Sequence, residues 1–374
     1  MRENKTVILH MIETTGHGGA ETVFANTVKS LDPDEFIPIV LLTGKGWLFD
    51  TINAAGISPV VIKSSGPYDW RFVWKIVRLI KSEKVDLIHS HLDDTNFYAC
   101  LSSIFSNTPV VATYHGMVGT WQTRNLKSLI KMSIIKHRAK YVVAVSDFLK
   151  KELLQAGAFR LEQMRRIYNG VDFASFDQEI DLATLREEFK IPSSVILVGA
   201  VGNIRKWKGY DYLVKAARMI IEKAPDTLFL IVGQGEQRLL DDLKALISSL
   251  GLSDKIMFTG HRNNVPQIMR LFDVFVLPSI TEGLSIATIE AMGQGLPVVV
   301  TDCGGPAEIV EDGKTGFLVP PKDAEALAQR ILQLIIDRTL AASLGKNAKT
   351  KVRAQFDLKH NISNYVELYK GCTS

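Results

Sequence analysis

Short apolar runs rich in β-branched residues recur along this chain. Each is followed by a polar or glycine-bearing loop, and most by apolar positions at helical spacing. The first run is Thr6–Ile12; the loop 13–21 follows, and a helical pattern runs through Phe24, Val28 and Leu31. Further strands are predicted at residues 38–43, 59–63, 85–89, 110–113 and 141–145. Past residue 172 the alternation restarts, with strands predicted at 195–201, 227–232, 255–259, 274–277 and 297–301. Amphipathic helices are predicted at Ala324–Ile336 and at 356–369. This repeated order predicts an α/β chain with parallel sheets that bind ligands at the carboxyl ends of their strands.

The candidate chemistry lies at those ends, and residues 278–292 organise it. Gly283 lets the backbone approach a ligand closely. The N–H groups of Gly283, Leu284 and Ser285 would stand at a helix start, where an anion binds well. Glu282 and Glu290 are eight residues apart with a turn between, which suits gripping hydroxyls on either side of a phosphate better than paired acid–base work. A plain strand–turn–helix with a capping Ser and a solvated Glu is the structural alternative. The loop 202–209 carries Asn203, Arg205 and Lys208. Arg205 can fork onto a diphosphate and Lys208 can supply a point charge. Gly233 and Arg262 mark the ends of the next two strands, whose backbone could hold a base or diphosphate. In the first half, Gly18 and Gly19 allow close approach to a phosphate or sugar, but the loop has neither the G-x-G-x-x-G spacing nor a P-loop lysine. His115, after a strand and before Gly116, is placed to donate to a ligand hydroxyl or phosphate; a structural contact to a neighbouring loop is the alternative. His89 and His91, at another strand end, suggest a metal pair but lack a third ligand at suitable spacing.

At 374 residues the chain exceeds one ordinary core, so two domains are expected. Hydrophobic residues make up 46% and charged residues 22%, as in a globular protein. A net charge of +4 gives no field directed at nucleic acid. Cys100, Cys303 and Cys372 are too scattered for a disulfide framework or a metal site, which fits a reducing cytoplasm. No signal-peptide core is evident at the N-terminus, and no run approaches the ~20 apolar residues of a spanning helix. One local imbalance stands out: residues 95–146 contain no acidic residue. Lys127, Lys131, Lys136, Arg138 and Lys140 interleave there with Leu126, Leu129, Ile130, Met132, Ile134 and Ile135, with Trp121 and Arg124 just upstream. Residues 121–140 thus read as a basic amphipathic helix suited to an anionic membrane surface. Residues 70–78, from Trp70 to Arg78, are a second candidate. An ordinary packed helix with a solvated basic edge is the alternative. The location expected is cytoplasmic, peripheral on the inner face of the membrane.

Taken in order, Gly18-Gly19-Ala20-Glu21, Tyr114-His115-Gly116, Asn169-Gly170-Val171-Asp172, the Gly202…Lys208-Gly209 loop and the glutamates at 282 and 290 resemble the family-four retaining glycosyltransferases of the GT-B fold. The stretch from Glu290 to Val299 is the most specific part. The resemblance implies two Rossmann-like domains facing across a cleft, with a C-terminal helix crossing back to the first. Residues 1–172 with 356–374 would form the acceptor-binding domain, and 173–355 the nucleotide-sugar-binding domain. It further implies that Glu290 takes ribose hydroxyls, that Arg205 and Lys208 hold the diphosphate with Gly19 closing on it, that Glu282 and Gly283–Ser285 bind donor sugar and phosphate, and that His115 contacts the sugar. Where the family has Gly-Arg this chain has Gly202-Asn203, and Arg205 is expected to take over. The implied reaction is same-face transfer of a sugar from a nucleotide donor, UDP favoured, to a glycan or lipid-linked acceptor in cell-surface polysaccharide or glycoconjugate biosynthesis. No metal and no cofactor are implied, and Asp32-Pro33-Asp34 reads as a solvated turn. A nucleotide-sugar epimerase of the same fold and a non-catalytic sugar-nucleotide-binding protein are the competing readings.

Overall fold

The computed structural model describes residues 5–66, 68–116, 125–176 and 181–373. The chain divides into two compact units: Met1–Gly170 with Leu358–Ser374, and Val171–Asp357. Unit 1 is built on seven strands: β1 (Thr6–Ile12), β2 (Phe36–Leu42), β3 (Val60–Val61), β4 (Leu87–His91), β5 (Val110–Tyr114), β6 (Ala139–Ala144) and β7 (Met164–Arg166). They pair in parallel in the order β3-β2-β1-β4-β5-β6-β7. Unit 2 holds β8 (Ile196–Val201), β9 (Thr227–Val232), β10 (Ile256–Gly260), β11 (Val274–Leu277), β12 (Val298–Thr301) and β13 (Phe317–Val319). These pair in parallel in the order β10-β9-β8-β11-β12-β13. Both sheets are doubly wound α/β layers. The strand order reverses beside β1 in one and beside β8 in the other, and such a reversal opens a crevice at the carboxyl ends.

In unit 2 the central strand β11 is apolar throughout because helices cover both faces of a parallel sheet. Val274, Phe275 and Val276 are fully buried, as are Val298, Val299 and Val300. In unit 1 the closing helix Leu358–Thr373 packs Tyr365 and Tyr369 against the sheet, in a cluster with Ile8, Leu87, Val111 and Val143. β4 runs on through Ser90 and ends at His91, so His89 lies inside the sheet and His91 is the strand's last residue. His89 and His91 are wholly buried and hydrogen-bonded within unit 1.

The basic-helix expectation needs correction. The helix Leu126–Arg138 forms, but most of its cations are engaged inside unit 1. Lys131 is buried and paired with Asp94. Arg138 donates to the carbonyl of Ser103, Lys136 to that of Gly157, and Lys140, just beyond, to that of Cys372. Removing the acidic residues from a stretch of sequence does not free its cations when carboxylates and carbonyls reach them from elsewhere. The apolar residues Leu126, Leu129 and Ile130 are the exposed ones. Trp121 and Arg124 fall outside the described residues.

The helix Arg338–Gln355 is absent from the sequence pattern, since it is polar along most of its length and has a glycine at its centre. That glycine lets the helix pack tightly: a Cβ on Gly345 would lie 2.1 Å from the carbonyl oxygen of Gly295. Replacing a helical Gly by Ala ordinarily stabilises by up to about 1 kcal/mol. Gly345→Ala is expected to do the opposite and cost about 2 kcal/mol by overpacking. Gly371→Ala, whose nearest neighbour would be 4.0 Å away, is expected to be neutral or stabilising. Urea unfolding of the two variants measures both signs.

Candidate active site

The loops that leave β8, β9, β10, β11 and β12 at their carboxyl ends are tied to one another by main chain. Ile204 donates to the carbonyl of Gln234 at 2.7 Å, Gly233 to Gly260 at 3.0 Å, Ile280 to Trp207 at 2.7 Å, and Gly305 to Glu282 at 3.0 Å. Gly233 has φ +151°, and a Cβ there would lie 2.2 Å from the carbonyl oxygen of Gly202, so no other residue fits this crossing. Tyr210 is buried and donates through its hydroxyl to the same Gly202 carbonyl at 2.8 Å. Ser279 is fully buried, and its carbonyl accepts from the Thr301 hydroxyl at 2.5 Å.

On this frame Lys208 and Glu282 meet. Lys208 Nζ lies 2.6 Å from Glu282 Oε2, and the two side chains are only 18% and 17% exposed. The Ser279 hydroxyl donates to the same oxygen at 3.3 Å. Immediately after Glu282 comes the start of the helix Ile286–Gln294. Ser285 caps it, its hydroxyl accepting from the Thr288 N–H at 3.2 Å. Among the described residues no acceptor meets the N–H groups of Gly283, Leu284 and Ser285, although all three residues are buried. Unpartnered amides at a helix start, next to a loop that carries a lysine, have the chemistry to hold an anion. Glu290, one turn into this helix, is partly buried, and burial pushes its carboxyl up to about 7.

Arg205 and Arg262 are placed differently. Arg205 is exposed and pairs with Glu236, which follows β9, so its guanidinium reaches toward that neighbouring loop. Arg262 pairs with Glu188 at 2.8 Å and lies over the Phe189 ring at 4.9 Å, which ties it to the helix Leu182–Glu188. The structure thus brings together Lys208, Glu282 and the 283–285 amides, with Gly233 crossing Gly202 beside Asn203.

In unit 1, Gly18 and Gly19 open the helix Gly19–Lys29, which has no side-chain cap. His115 follows β5 and stacks on His91, with His91 Nδ1 and His115 Nε2 2.8 Å apart. His91 packs on His89, which bonds Thr113 at 2.8 Å and the Tyr369 hydroxyl at 2.6 Å. Burial lowers His115 to about 4 and His10, which packs beside His89, to about 3. These imidazoles are therefore neutral near neutral pH; both ring nitrogens of His10, and Nδ1 of His115, are left without a protein partner among the described residues. Sequence reasoning passed over Glu13, the first residue beyond β1. Its Oε2 accepts from the Thr95 N–H at 2.8 Å and the Thr95 hydroxyl at 2.9 Å. Burial, helped by Asp94 and Asp93, pushes it up to about 7. Its place at a strand end was the available signal. Among the described residues no three His, Cys, Asp or Glu side chains gather as metal ligands, and no helix is long and apolar enough to cross a membrane.

Residues 182–351 match the family of glycosyl transferases group 1, and residues 17–175 match Glycosyltransferase Family 4. The chain is 27% identical to the UDP-Gal:α-D-GlcNAc-diphosphoundecaprenol α-1,3-galactosyltransferase of Escherichia coli, over 86% of this chain and 85% of that enzyme. It is also 27% identical to the N-acetyl-α-D-glucosaminyl L-malate synthase of Bacillus anthracis, over 81% and 79% of the two chains. Among solved structures, HepE of Anabaena in complex with UDP-glucose superposes with a TM-score of 0.89 and 26% identity, covering 98% of this chain and 99% of that one.

The raised Glu290 carboxyl has a consequence for stability. An acid whose pKa is higher folded than unfolded holds its proton longer in the native state, so stability falls as pH rises from the unfolded value of 4.5 through about 7. Glu290→Gln is therefore expected to raise stability by on the order of 2 kcal/mol at pH 8. The gap should shrink toward pH 5. Melting temperatures across that range measure it, and a pH-independent gap would remove burial of the charge as its cause.

Proposed function

The chain belongs to the family-four glycosyltransferases of the GT-B fold, and on that premise we propose that it is a retaining enzyme using a UDP-sugar and needing no metal. The observation that carries this reading is Lys208, held by Glu282 beside the unpartnered amides of Gly283, Leu284 and Ser285. Breaking the bond from the anomeric carbon to the diphosphate leaves negative charge on UDP. Preorganised amides and a lysine lower that barrier because the charge develops where donors already point. The sugar passes through an oxocarbenium-like state. The acceptor oxygen forms its bond on the face the diphosphate leaves, and its proton goes to a departing phosphate oxygen. Glu282 is assigned to sugar hydroxyls and to orienting Lys208, Glu290 to the ribose, and Asn203, Gly233 and the glycine loop at Gly18 and Gly19 to main-chain contact with the donor. His115, neutral, is assigned to a sugar hydroxyl through Nδ1. Arg205 and Arg262 would have to leave Glu236 and Glu188 to reach a diphosphate, so Lys208 is assigned the larger share.

UDP is favoured because HepE holds UDP-glucose and the Escherichia coli relative is a UDP-Gal enzyme. A glycan or lipid-linked acceptor is proposed from the diphosphoundecaprenol substrate in that relative's name. An anionic membrane surface is proposed as the place of work. The helix Trp70–Glu83 carries it, since Trp70 and Trp74 are 54% and 48% exposed. Arg71, Lys75, Arg78 and Lys81 on this helix are exposed and make no ion pair among the described residues. Phe105 packs 4.9 Å from Trp74, and the exposed Leu126, Leu129 and Ile130 extend the apolar area of unit 1. Tryptophans beside cations are the composition of an interfacial anchor.

A thermal-shift panel of UDP-, GDP-, ADP- and dTDP-sugars, with EDTA present, tests the donor site. A selective shift by a UDP-sugar is expected, with Lys208→Ala lowering kcat/KM by about 10²–10³. Product analysis by NMR should show retained anomeric configuration; inversion, or an altered donor with no acceptor consumed, would sink the reading. For the surface, sedimentation with vesicles containing anionic lipid is expected at low salt, weakened by high salt and lost in a Trp70→Ala, Trp74→Ala double variant. Equal binding by that variant would refute the assignment.

A further inference from the structure

His91 and His115 meet in unit 1 through one hydrogen bond, and its direction decides what His115 can offer a ligand. His91 ends β4, where its neighbours in the sheet are Ile12 of β1 and Thr113 of β5. It is wholly buried and packed against two rings, Phe24 with centroids 5.1 Å apart and His89 at 4.2 Å. His115 lies just past β5 and is partly exposed. The two rings are 18° from parallel, with His91 Nδ1 and His115 Nε2 2.8 Å apart. Burial keeps both rings neutral near neutral pH. A neutral imidazole has one N–H and one bare nitrogen. The pair therefore holds two ring protons, and one is spent on the shared bond. The other must sit on an outer nitrogen, His91 Nε2 or His115 Nδ1. Among the described residues neither of these has a partner.

The two arrangements are not equivalent. With the spare proton on His91 Nε2, an N–H is sealed in the core beside a Phe24 ring that brings no oxygen or nitrogen lone pair. Orphaned buried N–H groups are the rarer failure, and underused acceptors are better tolerated. With His91 donating, its Nε2 is a bare acceptor and the spare N–H goes to the more exposed ring. We propose that His91 is a positioning residue: it donates from Nδ1 to His115 Nε2 and so fixes His115 as the tautomer that carries its proton on Nδ1. His115 then presents a neutral N–H donor rather than a base. Such a donor selects a lone-pair oxygen of a hydroxyl or phosphate and has nothing for an ammonium group. The proton on one ring nitrogen is set by the bond the other makes. His89 cannot take this part, because both its nitrogens are spent, on Thr113 at 2.8 Å and on the Tyr369 hydroxyl at 2.6 Å. For its place in the reaction the proposal rests on the assignment of His115 to a sugar hydroxyl, but the tautomer is a property of the free chain.

Long-range proton–nitrogen correlation NMR on the full chain with isotope-labelled histidine reads the tautomer directly, since protonated and bare ring nitrogens resonate far apart. His115→Asn assigns the His115 signals by their loss. In the free wild-type chain, His115 is expected to have Nδ1 protonated and Nε2 bare. In His91→Leu that state should be lost in favour of Nε2–H. In His91→Asn, whose amide nitrogen can replace Nδ1 as donor, it should be kept. A wild-type His115 protonated on Nε2, or a His115 pattern unchanged in His91→Leu, would overturn the proposal; the first of these needs no His91 variant to fold. Binding links the tautomer to the reaction. Of UDP-glucose, UDP-galactose and UDP-N-acetylglucosamine, the one that binds the wild type most tightly should bind His91→Leu about five- to tenfold more weakly, and His91→Asn as the wild type does. UDP alone should bind all three proteins alike. A changed tautomer with unchanged binding of the sugar nucleotide would uphold the positioning role and instead sink the assignment of His115 to the sugar.

Discussion

The ion pair between Lys208 and Glu282 is the constraint on which the ligand chemistry of unit 2 depends. Its members come from loops that leave β8 and β11, adjacent strands on either side of the point where the strand order reverses. A largely buried carboxylate needs a cation within a few ångströms, and losing one member of such a pair leaves a charge that costs several kcal/mol. The pair therefore demands that both loops be held still. The main-chain bond from Ile280 to Trp207, the Tyr210 hydroxyl on Gly202 and the Thr301 hydroxyl on Ser279 do that holding. Lys208 is thereby fixed in place before any ligand arrives, and a fixed cation stabilises developing charge better than a mobile one.

Unit 1 uses a different kind of chemistry. Its strand ends present neutral imidazoles and a carboxyl poised near neutrality, both produced by burial. His91 and His115 share one hydrogen bond, and His89 is fixed by Thr113 and Tyr369, so the row of rings has a defined orientation from the closing helix outward. Tyr369 lies at the inner end of that row. The chain's last helix thus helps to orient a strand end formed more than two hundred residues earlier, which gives a physical reason for its return to unit 1. Neutral rings and a half-protonated carboxyl suit hydroxyl groups. Unit 2, with a lysine and bare amides, suits phosphate.

The doubly wound architecture was legible because buried parallel strands are short apolar runs whose ends announce themselves with glycines. β1, β9 and the helix Ala324–Ile336 agree with their predicted bounds to the residue. The helix Arg338–Gln355 was not legible, since its packing rests on a small residue rather than an apolar stripe. Within the candidate site, the strand-end loops that carry Lys208, Arg205, Arg262 and Glu282 were legible, but the pairings depend on distances across the sheet. Nothing in the spacing tells that Lys208 meets Glu282 whereas Arg205 meets Glu236 and Arg262 meets Glu188. Glu13 escaped notice because its character comes from burial and from Thr95, eighty-two positions away.

The same reasoning bears on the membrane surface proposed for unit 1. Counting charges along 121–140 favours the helix Leu126–Arg138, yet a cation held by a carboxylate or a carbonyl has little left for a lipid headgroup. Lys131, Lys136, Arg138 and Lys140 are all held in this way. The helix Trp70–Glu83 has the reverse arrangement. Its inner face, with Phe72, Val73, Ile76, Val77 and Ile80, is fully committed to the core, so among the described residues its four outward cations have no ion-pair partner, and its two tryptophans stay exposed. Exposed aromatics carry a standing cost in water that a soluble surface ordinarily avoids. That cost is relieved where the rings enter an apolar layer and the adjacent cations meet anionic headgroups, so the two features of this helix favour one environment together that neither requires alone.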